Sequence, residues 1–280
     1  MTIRLQYIGE DPVLEAGASY PSFDPLRIRS HGDRLSGTIL LPGGVKGELH
    51  PCAILLQGYP GYTVTYDIGQ ALRRAGIVAV NVLYRGCCGS EGEYSFHGMI
   101  EDAIQVATWL HEPNVYERYD IDPTQIFFVG HSMGGFTAIN AMRRLPWIRG
   151  TAVMSPYDLP GALESMGEES VQNLLHEGAE VLHCKGPDAL FADALYCRDE
   201  GYGIAQAYND LKDRNLYFVG ATRDTIAPAE LMIEPLWQQL ASHQTAANQQ
   251  YDMVETSHGF DEKRLTVSRL FGQWIADVLQ

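Results

Sequence analysis

What the 280-residue chain lacks narrows its class first. No apolar run approaches the ~18 residues that cross a bilayer, so no transmembrane helix is expected. The opening Met1-Thr2-Ile3-Arg4-Leu5 lacks the charged-then-apolar order of a signal peptide. Basic residues are few: 20 Lys and Arg stand against 35 Asp and Glu, a formal net charge of −15. That balance argues against nucleic acid and anionic membrane surfaces as partners. The five cysteines form no Cys-x-x-Cys pair and no Cys/His cluster with zinc spacing, so no metal is expected. Their number is odd, and the adjacent Cys87 and Cys88 cannot readily bridge each other. Reduced thiols in a cytoplasmic protein are the simplest account. No internal repeat or low-complexity segment is visible.

What is present is an ordinary globular composition, 45% hydrophobic and 20% charged. A chain of this length buries a sizeable core without disulfides or metals. Residues 1–24 carry little periodicity and read as a surface leader. A hairpin is expected over 26–41, turning at His31-Gly32-Asp33. Ala53 to Gln57 is a continuous apolar run, the pattern of a strand covered on both faces. Helix and strand signals then alternate: helix 68–75, strand 77–83, helix 99–110, strand 126–129, helix 136–145 and strand 151–154. The rhythm breaks over 156–210, where Pro156, Pro160, Gly161 and Gly167 open a segment with helical patterns near 171–182 and 187–195. It resumes with strand 216–219, helix 230–240, strand 251–254 and helix 263–279. Strands alternating with helices imply right-handed crossovers and a mainly parallel sheet. The core is therefore expected over 1–155 and 211–280, with 156–210 as a small helical insertion above the sheet.

The most informative stretch is Ile126-Phe-Phe-Val-Gly130-His131-Ser132-Met133-Gly134-Gly135. A buried-strand pattern runs into Gly-x-Ser-x-Gly and then a helix, which places the serine on a sharp strained bend with its hydroxyl at the top of a sheet. The plainer alternative is a glycine-rich turn whose serine caps the helix. A serine hydroxyl needs a base within reach, and the base needs an orienting carboxylate. Asp224 falls in the loop after strand 216–219, and His258 in the loop after strand 251–254. Ser132, Asp224 and His258 thus follow the chain order of this arrangement, all at the carboxyl edge of the sheet. Asp224 has an alternative use as a cap for the helix near Pro228, His258 as a surface histidine. Asp158 is a second candidate for the acid. An oxyanion forming on an attacked carbonyl needs fixed donors. The Met133 N–H is one; the loop Gln57-Gly58-Tyr59-Pro60-Gly61-Tyr62 supplies the other, with Tyr59 preferred because Pro60 has no N–H. That loop also reads as nothing more than a tight Gly/Pro turn.

Four segments carry a family resemblance: Gln57–Gly61, Tyr84–Gly92, Gly130–Gly135 and Ser257–Phe260. Together with the strand order, over roughly 26–155 and 211–280, they resemble the α/β-hydrolase fold, in its dienelactone-hydrolase, cinnamoyl-esterase and prolyl-oligopeptidase-like branch. The resemblance implies a serine hydrolase with no metal or organic cofactor. It departs at Gln57, where the family commonly has histidine, and at Cys87-Cys88, where the family has small residues. Peptidases of this group usually carry a large N-terminal propeller, and at most about 25 residues precede the first strand here. A small-molecule carboxylic ester, or a thioester or lactone, is the expected substrate. A compact peptidase or acyltransferase, or a non-catalytic binding protein of the same fold, are the alternatives. Chains of this fold often self-associate, though nothing in the sequence specifies a dimer.

Overall fold

The computed structural model describes residues 3–14, 16–45, 47–61 and 65–280. Tyr62 of the glycine-rich loop and the first two residues of the leader lie outside them. The strands are β1 (Ser22–Pro25), β2 (Ile28–Ser30), β3 (Asp33–Leu41), β4 (His50–Leu56), β5 (Val78–Leu83), β6 (Ile121–His131), β7 (Gly150–Met154), β8 (Asn215–Ala221) and β9 (Gln249–Val254). Among the described residues they form one sheet in the order β1-β3-β5-β4-β6-β7-β8-β9, with β2 paired to β3. β1, β2, β3 and β5 pair antiparallel at one end; from β5 through β9 every pairing is parallel.

The helices are α1 (Tyr66–Arg74), α2 (Phe96–Leu110), α3 (Pro113–Tyr116), α4 (Met133–Arg144), α5 (Leu159–Ser165), α6 (Glu168–Ala179), α7 (Pro187–Asp199), α8 (Tyr208–Leu211), α9 (Ala229–Met232), α10 (Glu234–Ala241) and α11 (Arg264–Val278). Alternate strand residues face opposite ways, and the apolar run in β4 divides accordingly. Ala53 and Leu55 pack with Ile68 and Leu72 of α1 and Phe271 and Trp274 of α11. Ile54 and Leu56 pack with Ile100 and Ala103 of α2 and Phe136 and Ile139 of α4. Helices on both faces explain why this strand shows no polar alternation.

Several elements differ from the sequence expectation. The leader is tied in: β1 pairs with β3, and Ile8 is fully buried beside Ala71 and Ala75. β6 begins at Ile121, and its pairing with β4 shifts register between His50 and Cys52, an irregularity that accommodates Pro123. The helix expected over 230–240 is two, broken at Ile233, with Pro235 in the first turn of α10. The 156–210 segment contains α5, α6, α7 and α8, the first of them starting at Leu159-Pro160.

Candidate active site

Ser132 sits between the end of β6 and the start of α4 at φ 55°, ψ −125°, a conformation that L residues rarely adopt. Such strain costs of order 1–3 kcal/mol and persists only where the surroundings over-determine it. Here they do. The Ser132 N–H donates to the Met154 carbonyl of β7 (3.2 Å), and its carbonyl accepts from the N–H groups of Gly135 (2.8 Å) and Tyr157 (3.0 Å). The glycines answer to space: a Cβ at Gly134 would lie 2.0 Å from the Leu56 carbonyl oxygen, and one at Gly130 would lie 2.4 Å from that of Gly134. Only glycines let the elbow pack this tightly on β4.

Asp224 follows β8, and its side chain is fully buried. One carboxylate oxygen accepts from the N–H groups of Ile226 (2.9 Å) and Ala227 (2.8 Å). The other accepts from His258 Nδ1–H at 2.8 Å. Burial alone would push this carboxyl up, but the His258 hydrogen bond and charge and the Ala227 N–H outweigh it and hold it at about 2. Asp224 is therefore ionised at neutral pH and fixes His258 with its proton on Nδ1, leaving the Nε2 lone pair free. The loop carrying His258 is itself held: Arg264 Nη1–H donates to the Gly259 carbonyl (3.1 Å) while its other nitrogens pair with Asp67 of α1.

Asp158, the other candidate acid, lies elsewhere in the hydrogen-bond pattern. It is buried beside α5, accepts from the Ala205 N–H (3.2 Å), and among the described residues shares no hydrogen bond with a histidine. Burial pushes its carboxyl up, against the pull of the Ile204, Ala205 and Gly161 N–H groups. It joins the two ends of the 156–210 segment.

His131, which no sequence pattern singles out, links nucleophile and base loop. Its Nε2–H donates to the His258 carbonyl at 2.8 Å, and the two rings lie 4.9 Å apart. Burial, and then the neighbouring His258, lower it to about 3, so it is neutral. Its only signal in the sequence is its place in Gly130-His131-Ser132. Ser132 Oγ and His258 Nε2 share no hydrogen bond among the described residues; in unliganded sites such contacts commonly tighten only around substrate.

Gly58 packs directly on the nucleophile: a Cβ there would lie 2.9 Å from Ser132 Cβ. The turn after it closes through Gly61 N–H to the Gly58 carbonyl (2.8 Å). No hydrogen bond of the described residues uses the Tyr59 N–H. Met133 is the first residue of α4, so its N–H has no acceptor within the helix, and the positive end of the helix lies there. The Met133 N–H thus adjoins Ser132 in the chain, and the Tyr59 N–H follows the glycine packed on it. The Tyr59 ring lies 5.7 Å from Phe96 and 6.0 Å from Tyr94, and its hydroxyl donates to the Leu175 carbonyl of α6. Gly178 of α6 leaves the space this ring fills. The 156–210 segment is therefore seated on the same loop that approaches the serine. Among the described residues no group of three or more His, Cys, Asp or Glu side chains is arranged to hold a metal ion.

Comparison with known proteins agrees with this architecture. The chain is 29% identical over 189 residues to the lysophosphatidylserine lipase ABHD12 of Danio rerio, covering 65% of this chain and 45% of that protein. It thus spans less than half the length of that relative. The esterase Pf2001 of Pyrococcus furiosus superposes with a TM-score of 0.65 at 15% identity, covering 92% of this chain and 93% of the other. Brefeldin A esterase, a bacterial homologue of human hormone sensitive lipase, superposes with a TM-score of 0.66 at 19% identity, covering 97% and 81%. At these identities the superpositions speak to the fold alone. The family described as alpha/beta hydrolase fold matches residues 67–256, more than half of the chain, and the protein belongs to it.

Proposed function

We propose that the protein is a serine hydrolase that cleaves small carboxylic esters, thioesters or lactones through an acyl-enzyme on Ser132. The observation that carries this reading is the buried Asp224–His258 pair at 2.8 Å, held by His131 beside a strained, tightly packed serine. His258 Nε2 takes the Ser132 proton as the hydroxyl attacks the substrate carbonyl. Asp224 keeps the imidazole oriented and stabilises its charged form. The N–H groups of Met133 and Tyr59 receive the oxyanion; one such donor is worth roughly 100- to 1000-fold in rate. The protonated His258 then protonates the leaving alcohol, and water, deprotonated by the same nitrogen, releases the acyl group.

Ester rather than amide chemistry is supported by the relative of highest identity reported above, a lysophosphatidylserine lipase. The contact between the Tyr59 hydroxyl and the Leu175 carbonyl of the 156–210 segment supports a role for that segment in shaping the acyl or alcohol pocket. Its half-buried Leu174, Leu182, Phe191 and Leu195 pack against the core.

The test has two arms. A fluorophosphonate probe should label the native protein on the peptide containing Ser132, and p-nitrophenyl esters should be turned over faster than aminoacyl p-nitroanilides. Labelling elsewhere only, or preferential amide cleavage, would overturn the nucleophile or the substrate class respectively.

A further inference from the structure

The two adjacent cysteines converge on the proposed oxyanion loop. Cys87 Sγ and Cys88 Sγ each donate to the Gly61 carbonyl, both at 3.2 Å. Gly61 closes the turn that carries the Tyr59 N–H. A Cβ at Gly61 would lie 2.3 Å from Cys87 Sγ, so the thiol and the loop backbone are in direct contact. Gln57, at the other end of the loop, donates from Nε2 to Cys87 Sγ at 3.5 Å. The two thiols differ in access: Cys88 is exposed and Cys87 buried. Cys88 has φ 48° between Gly86 and Gly89, also at positive φ, and their own turn is closed by Cys87 N–H to the Tyr84 carbonyl and Ser90 N–H to the Cys87 carbonyl.

The geometry points to Cys87–Cys88 as a thiol modification site that a low-molecular-weight disulfide oxidises to a strained bridge, displacing the oxyanion loop. The exposed Cys88 attacks the disulfide R–S–S–R; its S–S bond breaks, a Cys88–S–S–R mixed disulfide forms, and RSH leaves. The Cys87 sulfur then attacks Cys88 Sγ and expels the second RSH. Two protein thiols are oxidised, one R–S–S–R is reduced to two RSH, and both protein hydrogens leave with them. Burial pushes the Cys87 thiol up and keeps it from meeting the disulfide first; its attack in the second step is driven by its proximity to Cys88.

Adjacent cysteines do not bridge readily; they do so only under strain, and that strain makes the bridge reversible. Consecutive Cα atoms sit about 3.8 Å apart, below the ~4.4 Å at which ordinary disulfides begin, and strained exposed disulfides are the readily reduced ones. Its consequence follows from the contacts above. Once bridged, neither sulfur carries the hydrogen that the Gly61 carbonyl receives. The Gly61 carbonyl, at the end of the loop, then loses both of its thiol donors. Part or all of the Tyr59 contribution to rate is lost with them.

This inference rests on the hydrolytic reading for its effect but not for its chemistry. The reduced protein is incubated with oxidised glutathione. Ester turnover is followed, each variant against its own untreated sample, and the 87–88 peptide is weighed. The expectation is a peptide lighter by two hydrogens and turnover lowered ~10-fold or more, both reversed by dithiothreitol. Cys88→Ser, which keeps a hydroxyl donor for Gly61, should be insensitive; Cys184→Ser should respond like wild type. A stable mixed disulfide on Cys88, a bridge with unchanged turnover, or equal loss in Cys88→Ser would each overturn the proposal. Absence of ester turnover in the reduced protein counts instead against the hydrolytic reading, while the peptide mass still decides whether the bridge forms.

Discussion

Asp224→Asn is a replacement of one oxygen by one nitrogen whose consequences are set by the surrounding donors. Asp224 Oδ1 accepts from two backbone N–H groups, Ile226 and Ala227. An asparagine must keep its carbonyl oxygen there, because its NH2 group has nothing to offer two donors. The NH2 group is then turned toward His258 Nδ1. A donor facing Nδ1 forces the ring proton onto Nε2, the nitrogen that has to receive the Ser132 proton. The variant also removes the buried negative charge that stabilises His258 when protonated. Wrong tautomer and lost charge together are worth roughly 1000- to 10,000-fold in kcat/KM, or about 4–5.5 kcal/mol at about 1.36 kcal/mol per tenfold. The assay is steady-state hydrolysis of p-nitrophenyl butyrate at pH 8, with thermal unfolding to show that the variant is folded. Asp158→Asn is the control and should change kcat/KM less than about 10-fold, since among the described residues Asp158 shares no hydrogen bond with a histidine. An Asp224→Asn enzyme within tenfold of wild type, or an Asp158→Asn enzyme worse than it, would refute the reasoning.

Two further outcomes follow from packing and charge. Gly58→Ala places a Cβ 2.9 Å from Ser132 Cβ and 3.2 Å from the His131 carbonyl oxygen, where backbone must give; kcat should fall ~100-fold, as for a displacement of about 1 Å, while retained kcat would show that the loop yields freely. His131, lowered to about 3 in the fold against about 6.5 unfolded, stabilises the protein fully above pH 6.5 and progressively less as pH falls toward 3, by up to about 1.4 kcal/mol per pH unit. Urea unfolding from pH 7 to 4 should show this slope, and His131→Gln, which keeps an N–H for the His258 carbonyl, should flatten it; an unchanged slope would contradict the assignment.

The strand–helix rhythm was legible because burial writes itself into composition: β4 is apolar on both faces because helices cover both. The serine elbow was legible because Gly134 and Gly130 occupy places where no Cβ fits. What was hidden depends on contacts distant in sequence. Pro160 and Gly161 look like breakers, yet proline is welcome in the first turn of α5, and a Cβ at Gly161 would press within 2.7 Å of Asp158. Nothing local separates Asp224 from Asp158 as partner of His258; only the fold brings one of them to 2.8 Å. His131 reads as one histidine among nine until its proton is seen to reach the His258 carbonyl. The convergence of Cys87 and Cys88 on Gly61 spans about 26 positions and has no periodic signature.

The most direct test of the central claim is kcat/KM for p-nitrophenyl butyrate in wild type and Ser132→Ala, with folding checked by thermal unfolding. The account predicts a loss of ~1000-fold or more, since nucleophile and base act as a unit. A folded Ser132→Ala protein that hydrolyses the ester as fast as wild type would contradict it.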